Sequence, residues 1–128
     1  MKELTKSEEQ IMQILWKLKK GFVNEIVELM PEPKPAYNTV STIIRILETK
    51  NFVSHKAFGK THEYFPLVSK EVYSDNSLNR LVTNYFDNSF QSLVSFFARN
   101  EKMSTAELER IKKMIDEELV NKNKKDMK

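Results

Sequence analysis

Apolar residues recur at i, i+3, i+4 and i+7 three times in the first fifty positions, and each recurrence predicts an amphipathic helix. Ile11, Ile14, Leu15 and Leu18 make the first stripe. Thr5, followed three residues later by Glu8, supplies a capping box at its start. The helix is expected to run about four turns and to stop near Lys19–Gly21, with Gly21 as its C-terminal cap. Met12 and Trp16 lie beside the stripe and read as core or rim packing. Val23, Ile26, Val27 and Met30 repeat the spacing in a second, shorter helix that Pro31 ends. Pro33 and Pro35 make a stiff, extended connection with Lys34 exposed between them. Val40, Ile43, Ile44 and Leu47 then line a third helix over residues 36–50.

The other face of this third helix is unusual. Asn38, Ser41, Thr42, Arg45 and Thr49 are small or amide side chains plus one guanidinium, with one acid, Glu48, near the end, where a surface helix ordinarily carries Glu and Lys. Short polar groups let a helix approach another surface closely, and an Arg can grip a phosphate or a guanine edge. A solvated Ser/Thr-rich face is the plain alternative. After Asn51 the period shortens. Phe52–Phe58 and Thr61–Pro66 are two short β-prone runs around Gly59, which predicts a hairpin turning at that glycine. Lys56 and Lys60 cluster at its tip, and His55 and His62 stand on its arms, where they could face each other. Three short helices followed by a basic hairpin form the plan of a winged helix-turn-helix. In that plan the hairpin follows the phosphate backbone and the third helix enters the major groove.

The second half has another character. One long helical pattern is expected from about Ser69 to Asn100, through Leu78, Leu81, Val82, Tyr85, Phe86, Phe90, Leu93, Phe96 and Phe97. Ser104 with Glu107 opens a last helix bearing Leu108, Ile111, Ile115 and Leu119, which frays into a charged tail over 121–128. Two helices so aromatic on one side, following a domain already complete, predict a dimerisation arm. Folding back onto the head domain is the alternative. The expected organisation is residues 1–68 as a winged-helix domain and 69–128 as the helical arm with its tail. The fold class is mainly α with a small β-hairpin.

Composition narrows the function. The 128 residues carry a net charge of +3, and residues 34–63 hold five Lys/Arg (Lys34, Arg45, Lys50, Lys56, Lys60) against two acids (Glu48, Glu63), 5 − 2 = +3, so the whole surplus can be placed on this segment. That concentration favours a polyanionic partner. There is no cysteine, which removes disulfides, thiolate nucleophiles and cysteine metal sites. Two histidines without a paired acidic cluster predict no metal site. No phosphate-binding glycine loop, nucleophile elbow or Ser/His/Asp set is present, so neither an enzyme nor a cofactor is expected. The start lacks the apolar core of a signal peptide and no run spans a bilayer, so a cytoplasmic protein without membrane insertion is expected.

Several strings in this order resemble the BlaI/MecI/CopY family of penicillinase-type repressors, from about Leu4 to about Leu119. They are Leu4-Thr5-x-x-Glu8, Ile11-Met12-x-x-Leu15-Trp16, Val23-Asn24-Glu25-Ile26, Asn38-Thr39-Val40-Ser41-Thr42 with Leu47, and Gly59-Lys60-x-x-x-Tyr64-x-Pro66. Leu78-Asn79-Arg80, Phe90-x-Ser92-Leu93-Val94 and Ser104-x-x-Glu107-Leu108 continue the match. The resemblance implies a homodimeric repressor on a palindromic operator, with Thr39, Ser41, Thr42 and Arg45 where such families present their recognition helix. Copper-responsive members carry a C-terminal cysteine cluster, absent here. β-Lactam-responsive members are cleaved at an Asn-Phe bond in the long C-terminal helix. The matching stretch here is Val94-Ser95-Phe96-Phe97, which places a candidate cleavage at Phe96-Phe97 and implies a membrane sensor and protease pathway.

Lys34, Asn38, Thr39, Ser41, Thr42, Arg45, Lys56 and Lys60 are expected to contact double-stranded DNA. Leu78, Leu81, Val82, Tyr85, Phe86, Phe90, Leu93, Phe97, Ile111 and Ile115 are expected to make the dimer. A winged-helix adaptor that binds protein, or a regulator sensing a small apolar ligand at the Phe-rich arm, are the alternatives.

Overall fold

The computed structural model describes residues 1–127. Its elements are α1 (Lys6–Leu18), β1 (Gly21–Phe22), α2 (Val23–Leu29), α3 (Tyr37–Thr49), β2 (Val53–Phe58), β3 (Thr61–Pro66), α4 (Lys70–Tyr85), α5 (Phe90–Arg99) and α6 (Thr105–Asp126). The chain forms two compact units, Met1–Leu78 and Asn79–Lys128, and the division falls inside α4.

In the first unit the three stripes meet as their spacing predicts. Ile11, Met12 and Leu15 of α1, Val23 and Ile26 of α2, and Val40, Ile44 and Leu47 of α3 form one buried cluster. Phe52 and Val53 close it from the start of β2 and Tyr64 from β3. The Thr5 capping box is present, with the Glu8 backbone N–H donating to Thr5 Oγ1 and the Thr5 N–H donating to Glu8 Oε1. β2 and β3 pair in antiparallel register from Val53↔Pro66 to Phe58↔Thr61. The turn falls at Gly59, whose φ of +62 is the left-handed conformation expected of a two-residue hairpin loop.

Two local expectations are corrected. Gly21 does not cap α1. Lys19 takes the left-handed conformation there, with φ 73, and its N–H donates to the Leu15 carbonyl. Gly21 instead pairs with Tyr64 as part of β1, a third strand that makes the sheet order β1-β3-β2. The long helix over 69–100 is two helices. Asp87 and Asn88 both take positive φ (52 and 59) and break it between Tyr85 and Phe90. Asn and Asp tolerate that conformation better than other side chains, so the break sits where the sequence permits it. Ser89 then caps α5, accepting from the Ser92 N–H.

Tyr73, in the first turn of α4, packs into the core of the first unit. Its ring lies 5.7 Å from Phe52 and 5.9 Å from Trp16, and its hydroxyl accepts from the Leu4 N–H. Trp16 itself donates through Nε1 to the Val68 carbonyl, so the segment leading into α4 is stitched to α1.

One ion pair fixes α3 against α1. Glu8 is 3% exposed, and Lys50 Nζ, just past the end of α3, lies 2.8 and 2.9 Å from its two carboxylate oxygens. Burial alone would raise the Glu8 pKa. The Lys50 ammonium and the Thr5 N–H outweigh it and hold the carboxyl below its ordinary value of 4.5. A depressed folded-state value means that the pair's stabilisation is present above that ordinary value and is lost as the pH falls through the lower, folded one. Glu8→Gln should therefore cost on the order of 2 kcal/mol at pH 7. The cost relative to wild type should shrink on acidification below pH 4.5, measured by urea unfolding. An equal cost at pH 7 and pH 3 would show that the pair contributes nothing as a charge.

Candidate nucleic-acid interface

α3 buries Val40, Ile44 and Leu47 and turns the opposite side outward. Asn38, Thr42, Arg45 and Thr49 are exposed there, together with Ile46. Two of these hydroxyls are already engaged as donors: Thr42 Oγ1 donates to the Asn38 carbonyl at 2.9 Å and Thr49 Oγ1 to the Arg45 carbonyl at 3.0 Å. Each thus keeps a free acceptor and a methyl outward, the pair of features that can meet a base amino group or a thymine methyl. No acidic residue lies in the first turn of α3, and its Ala36 N-cap offers no side chain. Its positive dipole end is therefore unneutralised.

The wing side of α3 is concave. Tyr37, Ser41 and Arg45, spaced four apart, form one row along it, and a cleft of about 390 Å³ opens between this row, the start of α2 and the hairpin. Asn24 and Glu25 line it from α2, and Lys60, Thr61, His62 and Tyr64 from the hairpin. Tyr64 forms its floor, 4% exposed. Burial raises the Tyr64 hydroxyl above its ordinary value, and the Glu48 carboxylate adds to this, while the Arg45 guanidinium beside it pulls the other way. The phenol therefore stays neutral and is a hydrogen-bond partner for Arg45.

His55 and His62 do face each other. Their rings stack with centroids 4.1 Å apart and 7° between planes. His55 Nδ1 lies 2.6 Å from Glu48 Oε2, so α3 holds the hairpin through this bond. Among the described residues no group of three or more His, Cys, Asp or Glu could hold a metal ion.

The expected DNA contacts thus divide. Ser41, Arg45 and Lys60 share the cleft, and Asn38 and Thr42 share the outward face. Thr39 lies on the far flank, in a hollow of about 300 Å³ with Ser7, Gln10, Pro33 and Pro35. Lys56 stands on the other side of the hairpin from the histidines, 5.3 Å above the Phe58 ring and opposite Glu63. Lys34 is tied back to α2, donating to the Glu28 carbonyl at 2.8 Å and meeting its carboxylate at 3.3 Å, which spends part of its charge locally. Tyr37 and Ile46 were not singled out from the sequence, and His62 and Tyr64 were named there without a place at the interface. The i, i+4, i+8 row of Tyr37, Ser41 and Arg45 was the available signal for the first.

In the second unit Leu81, Tyr85, Phe90 and Phe97 are exposed, Tyr85 to 76%. Phe86 and Ile111 are half-buried and Ile115 is exposed. Val82 and Leu93 are 1% and 8% exposed. They are packed within the chain itself. Leu78, the last residue of the first unit, is 40% exposed. Phe96 and Phe97 are both exposed within α5, with rings 6.2 Å apart. No helix among the described residues is long and apolar enough to cross a membrane.

Comparison with known proteins agrees with this geometry. The penicillinase repressor profile matches residues 4–117. The methicillin resistance regulatory protein MecI of Staphylococcus aureus (strain N315) is 26% identical over 115 residues, covering 89% of this chain and 94% of that protein. A penicillinase repressor of Staphylococcus aureus is 22% identical over 116 residues, covering 90% and 92%. Among solved structures, the DNA binding domain of the repressor BlaI aligns over 57% of this chain and 94% of its own, with 22% identity and a TM-score of 0.49. From its matched length and its three-helix, hairpin-tipped head, the chain belongs to the penicillinase repressor family of winged-helix transcriptional repressors.

Proposed function

We propose that this repressor binds a palindromic operator as a homodimer. α3 lies in the major groove and the hairpin lies along the adjacent backbone. The observation that carries this is the exposed face of Asn38, Thr42 and Arg45 beside a cleft holding Arg45 and Lys60. Arg45 stands between the outward face and the cleft, and its planar fork suits a guanine edge or a phosphate. Ser41 and Lys60 position the protein on phosphate, as does Lys56 from the outer side of the hairpin. Thr39 and Lys34 are peripheral contacts to the flanking backbone.

The arm makes the dimer through Leu78, Leu81, Tyr85, Phe86, Phe90, Phe97, Ile111 and Ile115. Its exposed aromatic surface supports that role. Relief of repression would follow a cut at Phe96-Phe97 by a protease answering to a membrane sensor. Both side chains are accessible, and α5 must open locally before an extended peptide can enter a protease. A small-ligand regulator gains less support. The groove of about 580 Å³ beside Phe86 and Phe96 is also lined by Ser89, Gln91, Ser92 and Arg99, a polar wall rather than a dry pocket.

Affinity for duplex DNA, followed by fluorescence anisotropy, should fall steeply and linearly in log K against log salt. Lys56→Ala and Lys60→Ala should each weaken all sequences alike and reduce the slope by about 2 per dimer, one phosphate contact per subunit. A salt-independent affinity, or none for any duplex, would support the protein-binding adaptor instead.

A further inference from the structure

His62 lies in the same cleft as the two permanent cations, stacked on His55. His62 lines it with Arg45 and Lys60. His55, behind it, is held at 2.6 Å by Glu48. A chain of contacts thus runs from α3 through Glu48 and His55 to a ring that is itself exposed.

We propose that the cleft between α2, α3 and the hairpin seats one DNA backbone phosphate, and that His62 joins Arg45 and Lys60 as its third cation by taking up a proton when DNA binds. The inference rests on the DNA-binding reading above. Histidine is the side chain that changes charge near neutral pH. Two imidazoles with centroids 4.1 Å apart repel if both are charged, so the proton count belongs to the pair. Glu48 is the carboxylate that would offset a positive charge on His55. A phosphate in the cleft supplies the negative charge that offsets the second, on His62.

The surrounding groups are accounted for. From α3, Arg45 adds positive charge, Glu48 is engaged by His55, and Tyr37 is a phenol, as is Tyr64 from β3. From α2, Glu25 lies at the cleft's edge with its Oε1 accepting from the Phe22 N–H. Lys60 stands at the turn, while Lys56 and Glu63 occupy the opposite side of the hairpin, where Lys20 meets Glu63 at 3.9 Å. Glu25 and Glu48 are thus the cleft's nearest carboxylates, and each already has a partner.

Proton uptake on binding has a defined signature. Affinity for a short duplex should rise as the pH falls from 8 to 6, by up to about tenfold per pH unit for each subunit whose His62 takes up a full proton. The Kd of wild type, His62→Gln and His55→Gln would be measured by anisotropy across that range at fixed salt. His62→Gln keeps the hydrogen-bonding size but cannot be charged. It should lose the rise in affinity between pH 8 and pH 6. His55→Gln removes the repelling neighbour, so it should retain the rise. Equal pH dependence in wild type and His62→Gln, with duplex binding intact, would overturn the proton-linked contact alone. Absence of duplex binding at every pH would overturn both it and the DNA-binding reading.

Discussion

Replacing Thr42 and Arg45 together by Ala is expected to weaken operator binding by about 2–6 kcal/mol, because a dimer loses the same one or two base contacts in both half-sites. The two side chains lie on the outward face of α3, clear of the buried Val40, Ile44 and Leu47. Helix and fold should therefore survive, and the far-ultraviolet circular dichroism should be unchanged. The loss should also be selective. If Arg45 grips a guanine edge, binding to unrelated duplexes falls much less than binding to the operator. If it only meets phosphate from the Tyr64 side of the cleft, all duplexes weaken alike. An operator affinity equal to wild type in the double variant would remove α3 as the reading element.

The second large effect concerns the arm. Tyr85, Phe90 and Phe97 are all exposed, and three aromatic side chains in one short region are an unusual amount of apolar surface to leave in water. Changing all three to Glu is expected to leave the head intact while converting a dimer to a monomer in analytical ultracentrifugation. Two heads held together bind two half-sites with an effective-concentration advantage of about 10²–10⁴ over a single head, so operator affinity should fall by that factor. A triple variant that remains dimeric would move the interface elsewhere on the arm, and Leu78, Ile111 and Ile115 would then be the next side chains to change. Val82 and Leu93 are unsuited to this test, because burial within the chain makes their loss a folding defect.

The head was legible in the sequence because its helices are short, strongly periodic and separated by strong punctuation. Pro31 ended α2, and Gly59 marked the hairpin turn. Less legible were the features that depend on a partner distant in sequence. β1 is two residues long and exists only because Tyr64 and Glu63 lie across from Gly21 and Phe22. The Glu8–Lys50 pair joins residues 42 apart, and Glu8 looked like an ordinary capping-box acid. The α4–α5 break was hidden because the aromatic spacing of Tyr85, Phe86 and Phe90 continues across it, while the positive-φ pair Asp87-Asn88 carried the signal to stop. The site was half visible. Arg45 and Lys60 were found from charge and residue type, but the cleft between them needs the hairpin's position. So does the bond from Glu48 to His55, which converts two surface histidines into a stacked pair.

The most direct test is a selection of bound sequences from random duplex DNA by the full chain, with the retained complex sized by light scattering. The predicted result is a two-chain complex on an enriched palindrome whose half-sites lie about one helical turn apart. Enrichment of no palindrome, or retention of DNA by single chains alone, would contradict the account.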